Sequence, residues 1–463
     1  MPINVKDRMN RRDFLYTLGL VGTLSTRKSF SNPVNPKVVV IGAGASGLAA
    51  TDTLLALGIP TVCIEAGNRI GGRVYTDFKH FGMPYDIGAH WIHNGKYSPF
   101  KAYGFSEDAI NFHVYRPVSK NGMQAHRIFS SGKNVTGTKN EQNFWTEYNR
   151  IQYAIYSAGK NGLDVSASSV IGKKNTEWFE TIHQLIGPFD MAKDLRDISC
   201  VDYADYPYDD FDWFCKQGYG SLLKHRWRFL PVELNTKALT INYSQGDRVS
   251  VETSRGTLRA EKCILTVSNG VLASGKIKFI PKLSPKKVDS INHVNMGLYN
   301  HVAVLFKKSF YKEFGITESD TNLYYKIDGS NISPRGMGCL LNMGGSGLSY
   351  FDYGGAFAVE LEKEGPGAQK HFTISQLKSI FGSDVKKFII KMHATSWGKN
   401  QLSFGSYASA DPGYAHLRKI LRLPLSDKVF FAGEATASEY ASVSGAHRSG
   451  LRAAKEVLSA LKH

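Results

Sequence analysis

Runs of apolar residues divide the N-terminal part of the chain into a strand, a helix and a second strand. Residues 37–41 form an almost uninterrupted apolar run, which is typical of a strand that is buried on both faces. A helical pattern covers residues 48–57 and ends at Gly58, and a second apolar run follows at 61–65. This order of elements predicts a βαβ unit at the start of a parallel sheet.

Beyond residue 92 the hydrophobic pattern becomes less regular, which predicts an inserted region of different architecture. Residues 143–158 and 177–195 have helical periodicity. The stretches at 118–142 and 159–175 are polar and rich in Ser, Gly, Lys and Asn, which is typical of loops.

Alternating apolar and polar residues return at 248–253 and 262–267, with Gly256 between them, and predict an antiparallel hairpin. The later segments predict, in order, a strand at 302–306, a turn-rich segment at 342–355, a helix at 374–381, a buried strand at 428–434 and a final helix that begins near residue 444.

The turn between the first strand and the first helix carries three glycines with the spacing G-x-G-x-x-G. Gly42 permits the tight turn, Gly44 lets the backbone approach a ligand, and Gly47 lets the helix pack closely on the strand. The helix begins there with unpaired N–H groups that can bind a pyrophosphate. Glu65 follows 18 residues after Gly47, where an acid can accept hydrogen bonds from ribose hydroxyls. The pattern predicts an adenine dinucleotide cofactor, and a glycine turn without a ligand is the alternative.

Composition and charge are those of a globular enzyme and do not favour nucleic acid as a partner. The 463 residues are 42% hydrophobic and 12% aromatic, which is ordinary for a protein of two or three domains. The formal net charge is +17, but the basic residues are scattered and form no arginine-rich tract. We therefore expect a solvated basic surface and no nucleic-acid site.

The five cysteines predict neither a disulfide framework nor a metal site. They are odd in number, widely spaced and lack a C-x-x-C pair. Cys63 and Cys263 fall within strand-like runs and are expected to be small core residues.

The N-terminus has the pattern of an export signal. Residues 10–15 read Asn-Arg-Arg-Asp-Phe-Leu, a twin-arginine pattern, and the weakly apolar segment 15–24 is too short to span a bilayer. Residues 1–32 are therefore predicted to be a Tat-type signal or N-terminal arm. The mature protein is expected to be periplasmic or exported, with no stable membrane insertion. Because no clear A-x-A cleavage site follows, a disordered or amphipathic arm is the alternative.

Seven ordered motifs make the sequence similar to the flavin-dependent amine oxidases, which comprise monoamine oxidases, polyamine oxidases and related histone demethylases. The resemblance covers residues 35–463. Its motifs are Gly42-x-Gly44-x-x-Gly47, Glu65-Ala66 with Arg69-x-Gly71-Gly72-Arg73, Asp86-Ile87-Gly88-Ala89-His90-Trp91-Ile92-His93, Gly218-Tyr219-Gly220-Ser221-Leu222, residues 266–272, Trp397 with Gly405-Ser406-Tyr407, and Phe431-Ala432-Gly433-Glu434-Ala435-Thr436.

The resemblance implies an α/β fold in which a Rossmann-like, GR2-type FAD-binding domain carries an inserted α+β substrate-binding domain. The expected limits are 35–95, 215–290 and 395–463 for the FAD-binding domain, and 96–214 and 291–394 for the substrate-binding domain. The implied reaction is FAD-dependent oxidation of a primary or secondary amine to an imine, which is hydrolysed to an aldehyde or ketone. O2 then reoxidises the flavin to give H2O2. A homodimer is a further expectation.

By the same resemblance, the cofactor is held by the glycine turn, the end of the second strand, the 88–91 turn and the start of the last helix. The expected FAD contacts are Gly42, Ala43, Gly44, Ala45, Ser46, Gly47, Glu65, Ala66, Arg69, Gly71, Gly72, Arg73, Gly88, Ala89, His90, Trp91, Ala238, Trp397, Gly433, Glu434, Ser442 and Val443. Arg73 has a bidentate fork that suits phosphate. Ala238 lies where the family contacts adenine, and Trp397 is implied to lie against the flavin ring.

One departure from the family pattern concerns the aromatic surroundings of the substrate. Ser406 stands where monoamine oxidases have the cysteine that bonds to the flavin, so FAD is expected to be non-covalent. Tyr407 matches one wall of an aromatic cage, whereas the opposite wall falls at about Ser442, with Tyr440 as a substitute. His93 is a further expected substrate contact.

A second departure is His301, which stands where the family has a lysine that holds a water against flavin N5. Histidine is shorter and can be neutral near pH 7, so reoxidation by O2 is expected to be slower. A periplasmic electron carrier is then the alternative acceptor. For His301 itself, the alternative is a buried histidine with satisfied hydrogen bonds.

The sequence says less about the identity of the substrate than about that of the cofactor. Residues 202–213 mix acids and aromatics and could attract a cationic amine, although a solvated loop is the alternative. L-amino-acid oxidases carry an arginine near the 88–91 turn, which this chain lacks. Three hypotheses stay open: an oxidase of a polyamine, an aromatic monoamine or a cyclic amine; an L-amino-acid oxidase or flavin desaturase; and a non-catalytic flavoprotein.

Overall fold

The computed structural model describes residues 35–93, 98–117, 124–173, 176–207, 212–244, 246–327 and 334–462. The twin-arginine pattern at 10–15 and the apolar segment at 15–24 lie outside these residues. Within the described part of the chain, no helix combines the length and the apolar character needed to cross a bilayer.

A five-stranded parallel sheet, the cofactor sheet, begins with the first predicted strand. Side chains of that strand alternate between two apolar clusters, with Val38 and Val40 on one face and Val39 and Ile41 on the other. Burial on both faces explains the continuous apolar run in the sequence, and the predicted α/β class with a Rossmann-like domain is confirmed. In spatial order the strands are Val429–Phe431, Lys262–Leu265, Val38–Ile41, Thr61–Ile64 and Val232–Glu233.

The predicted hairpin between 248–253 and 262–267 is wrong. Val249–Thr253 pairs instead with Gly256–Ala260, in a four-stranded sheet that also contains Ala238–Asn242 and Lys278–Ile280. Lys262–Leu265 lies in the cofactor sheet, parallel to both of its neighbours. Only the last residue of the true partner strand is buried, so that strand carries little hydrophobic signal beside the buried run that follows it.

A seven-stranded mixed sheet, the large sheet, is built from later segments of the chain. One face packs on helices Gly355–Glu364 and Pro366–Phe381, and the other packs on Phe81, Tyr85 and Phe214. The strand at 302–306 and the helix at 374–381 are confirmed, and both are longer than predicted. In spatial order the strands are Ile389–Ala394, Tyr299–Phe306, Leu348–Gly354, Gly338–Leu341, Thr321–Tyr325, His126–Ser130 and Lys133–Asn134.

The segment 342–355, predicted to be turn-rich, contains a fully buried strand. Leu348–Gly354 is buried at every residue and lies between two strands of the large sheet. The turn itself is confined to the start of the segment, where Asn342 and Gly344 have positive φ angles of 55° and 58°. Serine, aspartate and two tyrosines within the strand obscure its internal position, because burial of such polar groups depends on partners elsewhere in the chain.

The helices cover the two sheets and connect them. The α-helices are Ala45–Ala56, Pro99–Gly104, Lys139–Lys160, Ala167–Val170, Phe179–Gln184, Cys200–Asp205, Tyr219–Arg226, Asn269–Ala273, Pro285–His293, Lys308–Glu313, Gly355–Glu364, Pro366–Phe381, Leu417–Leu421 and Val443–Ala460. A π-helical turn, Leu185–Phe189, follows Phe179–Gln184 directly. The remaining pairs of short strands are Thr76–Asp77 with Tyr85–Asp86, Val114–Tyr115 with Phe214–Cys215, and Val294–Gly297 with Tyr407–Ala410.

The first turn of the first α-helix packs against the middle of the last α-helix. A Cβ atom on Gly450 would approach the carbonyl oxygen of Ser46 to 2.1 Å, so only glycine permits this contact. The Ser46 and Ser449 hydroxyls lie 3.2 Å apart across the same contact. The first helix therefore begins beside the last helix. The domain limits themselves stay a prediction.

Candidate active site

A cavity of about 1440 Å³ connects the glycine turn with the large sheet and the start of the last helix. It brings together nearly all the residues that the sequence predicted as site residues. Those that line it are Gly42, Gly44, Ala45, Ser46, Glu65, Ala66, Arg69, Gly71, Gly72, Arg73, Gly88, Ala89, His90, Trp91, His93, Ala238, His301, Trp397, Tyr407, Gly433, Glu434, Tyr440, Ser442 and Val443. Ala43 and Gly47, predicted as direct cofactor contacts, are not among the lining residues.

The glycine turn has the geometry that its spacing predicted. Gly42 has a φ of +102°, which strongly favours glycine. A Cβ on Gly47 would lie 1.8 Å from the Gly42 carbonyl oxygen, which is why the helix can approach the strand only with glycine there. A Cβ on Gly44 would meet no protein atom within 4 Å, because that side of the residue is open to the cavity.

Glu65 ends the second strand and is held in place by backbone amides. Its Oε2 accepts a hydrogen bond from the Ala43 N–H at 2.8 Å, and its Oε1 accepts one from the Gly67 N–H at 2.7 Å. The Ala43 amide is therefore used to orient the carboxylate, which explains why Ala43 lies behind the cavity wall. Each carboxylate oxygen keeps a lone pair for a further donor, such as a ribose hydroxyl.

The last helix presents its N-terminus to the same cavity. Ser442 caps it by accepting a hydrogen bond from the Gly445 N–H at 2.9 Å, and both Ser442 and Val443 line the cavity. The unpaired N–H groups of the first turn favour negative charge at this position.

Arg73 joins two distant segments beside this helix. Its Nη1 donates to Glu434 Oε1 at 2.8 Å and to the Ser406 carbonyl oxygen at 2.7 Å. Glu434 Oε2 in turn accepts from the Ala441 N–H at 3.0 Å. The guanidinium, predicted to bind phosphate, thus has an internal carboxylate partner while it also lines the cavity.

The residues at this end of the cavity fit an extended dinucleotide such as FAD. Two helices, of 12 and 18 residues, begin at the cavity, and Gly44 leaves open space there. His90 Nε2 is a buried nitrogen that has no hydrogen-bond partner within the described residues. With FAD bound, Ser46 and Val443 at the helix starts would hold the pyrophosphate, Glu65 the ribose, and Trp397 with the 88–91 turn the flavin ring.

Aromatic rings form one wall of the cavity near Ser406. The Tyr407 and Tyr299 ring centroids are 5.8 Å apart, and both residues line the cavity. The Tyr407 hydroxyl donates to the Phe189 carbonyl oxygen at 3.0 Å, which fixes the ring. Tyr299 was not predicted as a site residue, because only the folded structure places its ring beside Tyr407 in the cavity wall.

Tyr440, predicted as a substitute for the second cage wall, lines the cavity but is also bound into the protein. Its hydroxyl donates to the Asp202 carbonyl oxygen at 3.0 Å. The Arg418 guanidinium lies 3.9 Å from its ring centroid, and the Tyr206 ring meets it edge to face at 5.2 Å. Tyr440 thus contributes ring surface to the cavity while its hydroxyl is used internally.

His301 is buried where the cavity meets the large sheet. Its Nε2 lies 2.8 Å from the Tyr85 hydroxyl, and its Nδ1 lies 3.9 Å from Asp352 Oδ1. Desolvation, with smaller contributions from His90 and His393, holds the His301 pKa well below its ordinary value. A neutral imidazole therefore occupies the position where a family lysine would bring a charge.

Asp190 is the main site residue that the sequence did not reveal. It follows the π-helical turn Leu185–Phe189 directly, and its exposed surface faces the cavity. Desolvation by the surrounding protein raises its pKa to about 7, with His93 and Asp212 acting in opposite directions. The signal in the sequence was an acid inside an apolar run at 185–191, which was assigned only to a helix.

A second acid lies nearby and is paired. Asp212 Oδ1 lies 2.7 Å from His93 Nδ1, and both side chains line the cavity. His93, a predicted substrate contact, is therefore held by a carboxylate rather than presented alone.

The long helix Lys139–Lys160 supplies an aromatic rim. Trp145, Tyr148, Tyr153 and Tyr156 all line the cavity, and the last two are exposed to solvent. Ring faces at such a position attract cations.

Residues 202–213, for which the sequence left open an amine-attracting segment or a solvated loop, are partly helical and partly line the cavity. Cys200–Asp205 is a helix, and Asp202 is buried in an ion pair with Arg418 at 2.6 Å. Tyr203, Tyr206 and Asp212 line the cavity. Residues 208–211 lie outside the described residues.

The chain matches two protein-family descriptions. Residues 201–458 match the family described as flavin containing amine oxidoreductase, and residues 40–103 match an NAD(P)-binding Rossmann-like domain. The first match alone covers more than half of the chain.

Individual proteins are similar over nearly the whole chain. Polyamine oxidase 2 of Arabidopsis thaliana is 27% identical over 91% of this chain and 88% of its own length. Lysine-specific histone demethylase 1 homolog 3 of Oryza sativa subsp. japonica is 29% identical over 91% of this chain but 54% of its own length. Among solved structures, putrescine oxidase bound to putrescine has a TM-score of 0.76 at 20% identity, covering 92% of this chain and 99% of that one. Cyclohexylamine oxidase from Brevibacterium oxydans has a TM-score of 0.75 at 19% identity, covering 93% and 100%.

Proposed function

The chain belongs to the flavin containing amine oxidoreductase family, and on this premise we propose that its substrate is a diamine or longer polyamine, an amine with a second cationic group. The protein is an FAD-dependent oxidoreductase that acts on amines. When bound, FAD takes up the two electrons that leave the substrate as its C–N bond becomes an imine.

The residues around the cavity have separate tasks in this proposal. Tyr407 and Tyr299 bind the reacting amine between ring faces and keep water away from it. Neutral His301 adds no positive charge, so it does not repel the cationic substrate. The Arg73–Glu434 pair holds the segments that carry Ser406 and the last helix, so that substrate and cofactor surfaces stay in register.

Asp190 is the observation that carries the choice of substrate. A carboxyl group with a pKa near 7 inside an aromatic cavity is held by a weak balance between charge and desolvation. An ammonium group beside it would restore the ionised form and gain a charge-assisted hydrogen bond. Tyr203 and Tyr206 line the same part of the wall and add ring faces. A monoamine would leave this carboxyl unpaired.

The related proteins support the same class of substrate. Their printed names include polyamine oxidase and putrescine oxidase, and the latter structure was determined with putrescine. Cyclohexylamine oxidase, with the same fold, shows that the fold also admits a monoamine. The choice for this chain therefore rests on Asp190.

The Asp190→Asn substitution is expected to raise KM for an aliphatic diamine about tenfold to a hundredfold, because one charged hydrogen bond is lost. KM for the monoamine of equal chain length should change little. In the unmodified protein, preference for the diamine should increase as pH rises through about 7, since Asp190 then becomes ionised. The measurement is anaerobic bleaching of the flavin absorbance at a series of substrate concentrations and pH values.

Asp205→Asn is the matched control, because Asp205 is exposed and forms an ion pair with Lys160 at 3.5 Å on the surface. An equal rise in KM for the diamine and the monoamine in Asp190→Asn would contradict the proposal. An amino acid is the second candidate substrate, because Arg116 also lines the cavity and could bind a carboxylate. Bleaching by L-amino acids but not by amines would favour it.

The state of the cofactor and the electron acceptor are further parts of the proposal. Ser406 Oγ donates to the Tyr299 carbonyl oxygen at 2.7 Å and offers no thiol, which supports non-covalent FAD. O2 is the proposed acceptor, with H2O2 as product. Rapid bleaching followed by no recovery in air would instead support a periplasmic electron carrier.

Export to the periplasm is proposed from the twin-arginine pattern at 10–15. A protein that binds a dinucleotide must fold around it before export, which suits the Tat route. We expect cell fractionation to place the protein in the periplasm, and the double substitution of Arg11 and Arg12 by lysine to retain it in the cytoplasm. If the unmodified protein and the double variant divide between periplasm and cytoplasm in the same proportion, the proposal is contradicted.

A further inference from the structure

A chain of polar side chains leads away from the cavity at His301 and ends at the protein surface. His301 Nε2 lies 2.8 Å from the Tyr85 hydroxyl, and that hydroxyl lies 3.1 Å from His393 Nδ1. The ring centroids of His393 and His80 are 3.7 Å apart. His80, with 40% of its side chain exposed, has its Nδ1 2.9 Å from Asp77 Oδ2.

The hydrogen-bonded row of side chains is surrounded by apolar residues. Tyr85 is fully buried and belongs to a cluster that contains Phe81, Phe214, Ala303 and Leu348. Polar groups in such a place are costly unless they are hydrogen-bonded, and Tyr85 is bonded to a histidine on each side. The three side chains therefore form a continuous hydrogen-bonded route through an apolar layer.

The chemistry of the three groups permits a proton to pass. A neutral imidazole has one nitrogen that donates and one that accepts, and a phenol hydroxyl does both. The three side chains can therefore donate their hydrogen bonds all toward the protein surface or all toward the cavity. Because Tyr85 is the shared centre, neither histidine can exchange a proton with the other without it.

We propose that His301, Tyr85 and His393 conduct protons between the active-site cavity and solvent on the His80 side of the protein. The substrate amine reaches the cavity as an ammonium ion and must lose one proton before its nitrogen lone pair becomes available. In the transfer, His301 gains that proton on Nδ1 and releases the Nε2 proton to the Tyr85 oxygen. Tyr85 releases its own proton to His393 Nδ1, and His393 releases its Nε2 proton to water. One proton leaves the cavity, and every side chain ends neutral.

The charged and titratable groups around the route set its direction. His301 faces Asp352, His90 and Tyr350 as well as Tyr85. Asp352 Oδ1 is 3.9 Å from the Nδ1 that receives the proton, and burial raises the pKa of Asp352 to about 8. Near pH 7 this carboxyl is therefore largely neutral, and a proton on His301 is passed on rather than held by an ion pair. At the outer end His393 faces His80, Lys370, Lys391 and Asp77, and its pKa is lowered to about 4, mainly by desolvation. His393 therefore passes a proton on rather than keeping it.

The Tyr85→Phe substitution tests the route, because it keeps the ring and removes the shared hydroxyl. In a single anaerobic turnover with a pH-indicator dye, we expect the unmodified protein to release a proton together with flavin bleaching. In Tyr85→Phe, proton release and the bleaching that depends on it should both be slower by about a hundredfold. Tyr353→Phe is the matched control, since Tyr353 is fully buried in the large sheet and its hydroxyl has no hydrogen-bond partner in the described residues.

His393→Gln breaks the route near the surface and serves if Tyr85→Phe fails to fold. The same slowing of bleaching and proton release is expected, together with a larger solvent isotope effect on bleaching in D2O, because proton transfer then limits the rate. Bleaching and proton release at the unmodified rate in either folded variant would overturn the proposal, because protons would then leave through the cavity mouth.

A readout without turnover uses nitrogen NMR of histidine side chains in the protein without substrate. The His301 and His393 signals are identified by their loss in His301→Gln and His393→Gln. Tyr85→Phe should shift both signals, and Tyr353→Phe neither. A shift of only one would overturn the continuous route. Because any amine that bleaches the flavin can be used, failure here is distinguishable from failure of the diamine proposal, which depends on Asp190.

Discussion

Replacement of Gly47 by alanine is expected to abolish retention of FAD and to lower the free energy of unfolding by about 3 kcal/mol or more. The added Cβ would lie 1.8 Å from the Gly42 carbonyl oxygen and 2.9 Å from Thr266 Oγ1. Because the first contact is with backbone, the helix must move away from the strand. The N–H groups at the helix start then no longer face the pyrophosphate site. Flavin absorbance per protein after gel filtration and the urea midpoint measure the two effects.

Two other glycines separate the possible causes. Gly44→Ala adds a methyl group that meets no protein atom within 4 Å but points into the cavity, so it should weaken FAD binding without loss of stability. Gly367→Ala, in the exposed first turn of a helix, also meets nothing and should stabilise the fold by about 0.5 kcal/mol. A Gly47→Ala protein that keeps its flavin would show that the helix start does not hold the cofactor.

Replacement of Arg418 by methionine is expected to lower the free energy of unfolding by about 3–5 kcal/mol, since it leaves a buried carboxylate without its partner. Arg418 Nε and Nη2 donate to Asp202 at 3.0, 2.8 and 2.6 Å, and Nη1 donates to the Ala435 carbonyl oxygen at 2.8 Å. Tyr440 at the cavity wall rests on this pair, so substrate affinity should fall as well. Urea unfolding and KM are the measurements.

The matched control is Arg335→Met, because Arg335 pairs with Glu360 at 2.9 Å while both side chains are about half exposed. Such a surface pair contributes less than about 1 kcal/mol. Adding Asp202→Asn to Arg418→Met removes the unpaired charge and should recover part of the lost stability. If the double variant is no more stable than Arg418→Met, the loss comes from packing rather than from the buried charge.

Strands that are buried on both faces leave a clear signal in the sequence, whereas exposed strands and strands with buried polar side chains do not. The strand at 38–41 was found because it is buried on both faces, so every residue in it is apolar. The strand Gly256–Ala260 was missed because it is mostly exposed, and Leu348–Gly354 was missed because buried polar side chains interrupt its apolar pattern. Strand pairing depends on partners far along the chain, and the sequence contains no direct record of those partners.

Some residues of the candidate site could be identified from the sequence, and others only from the fold. Direct contact between Ala43 and the cofactor stays a prediction, and the structure shows that the Ala43 amide holds Glu65 and that the residue does not line the cavity. Asp190 was missed because an acid in a helical run is usually solvated, and only the fold shows that it opens into an aromatic cavity. Tyr440 lines the cavity, but its position depends on Arg418 and Asp202, which no local pattern connects.

The sequence by itself determined the cofactor, because a dinucleotide grip is local: glycines within six residues set one turn, and the strand that follows brings Glu65 to it. Only the tertiary structure decided what surrounds the reacting amine. His301 meets Tyr85 across 216 residues, and Tyr85 meets His393 across 308. The physical reason is that hydrogen bonds and desolvation act over a few ångströms in space. Side chains so far apart in sequence acquire a shared proton chemistry only when the sheets place them together.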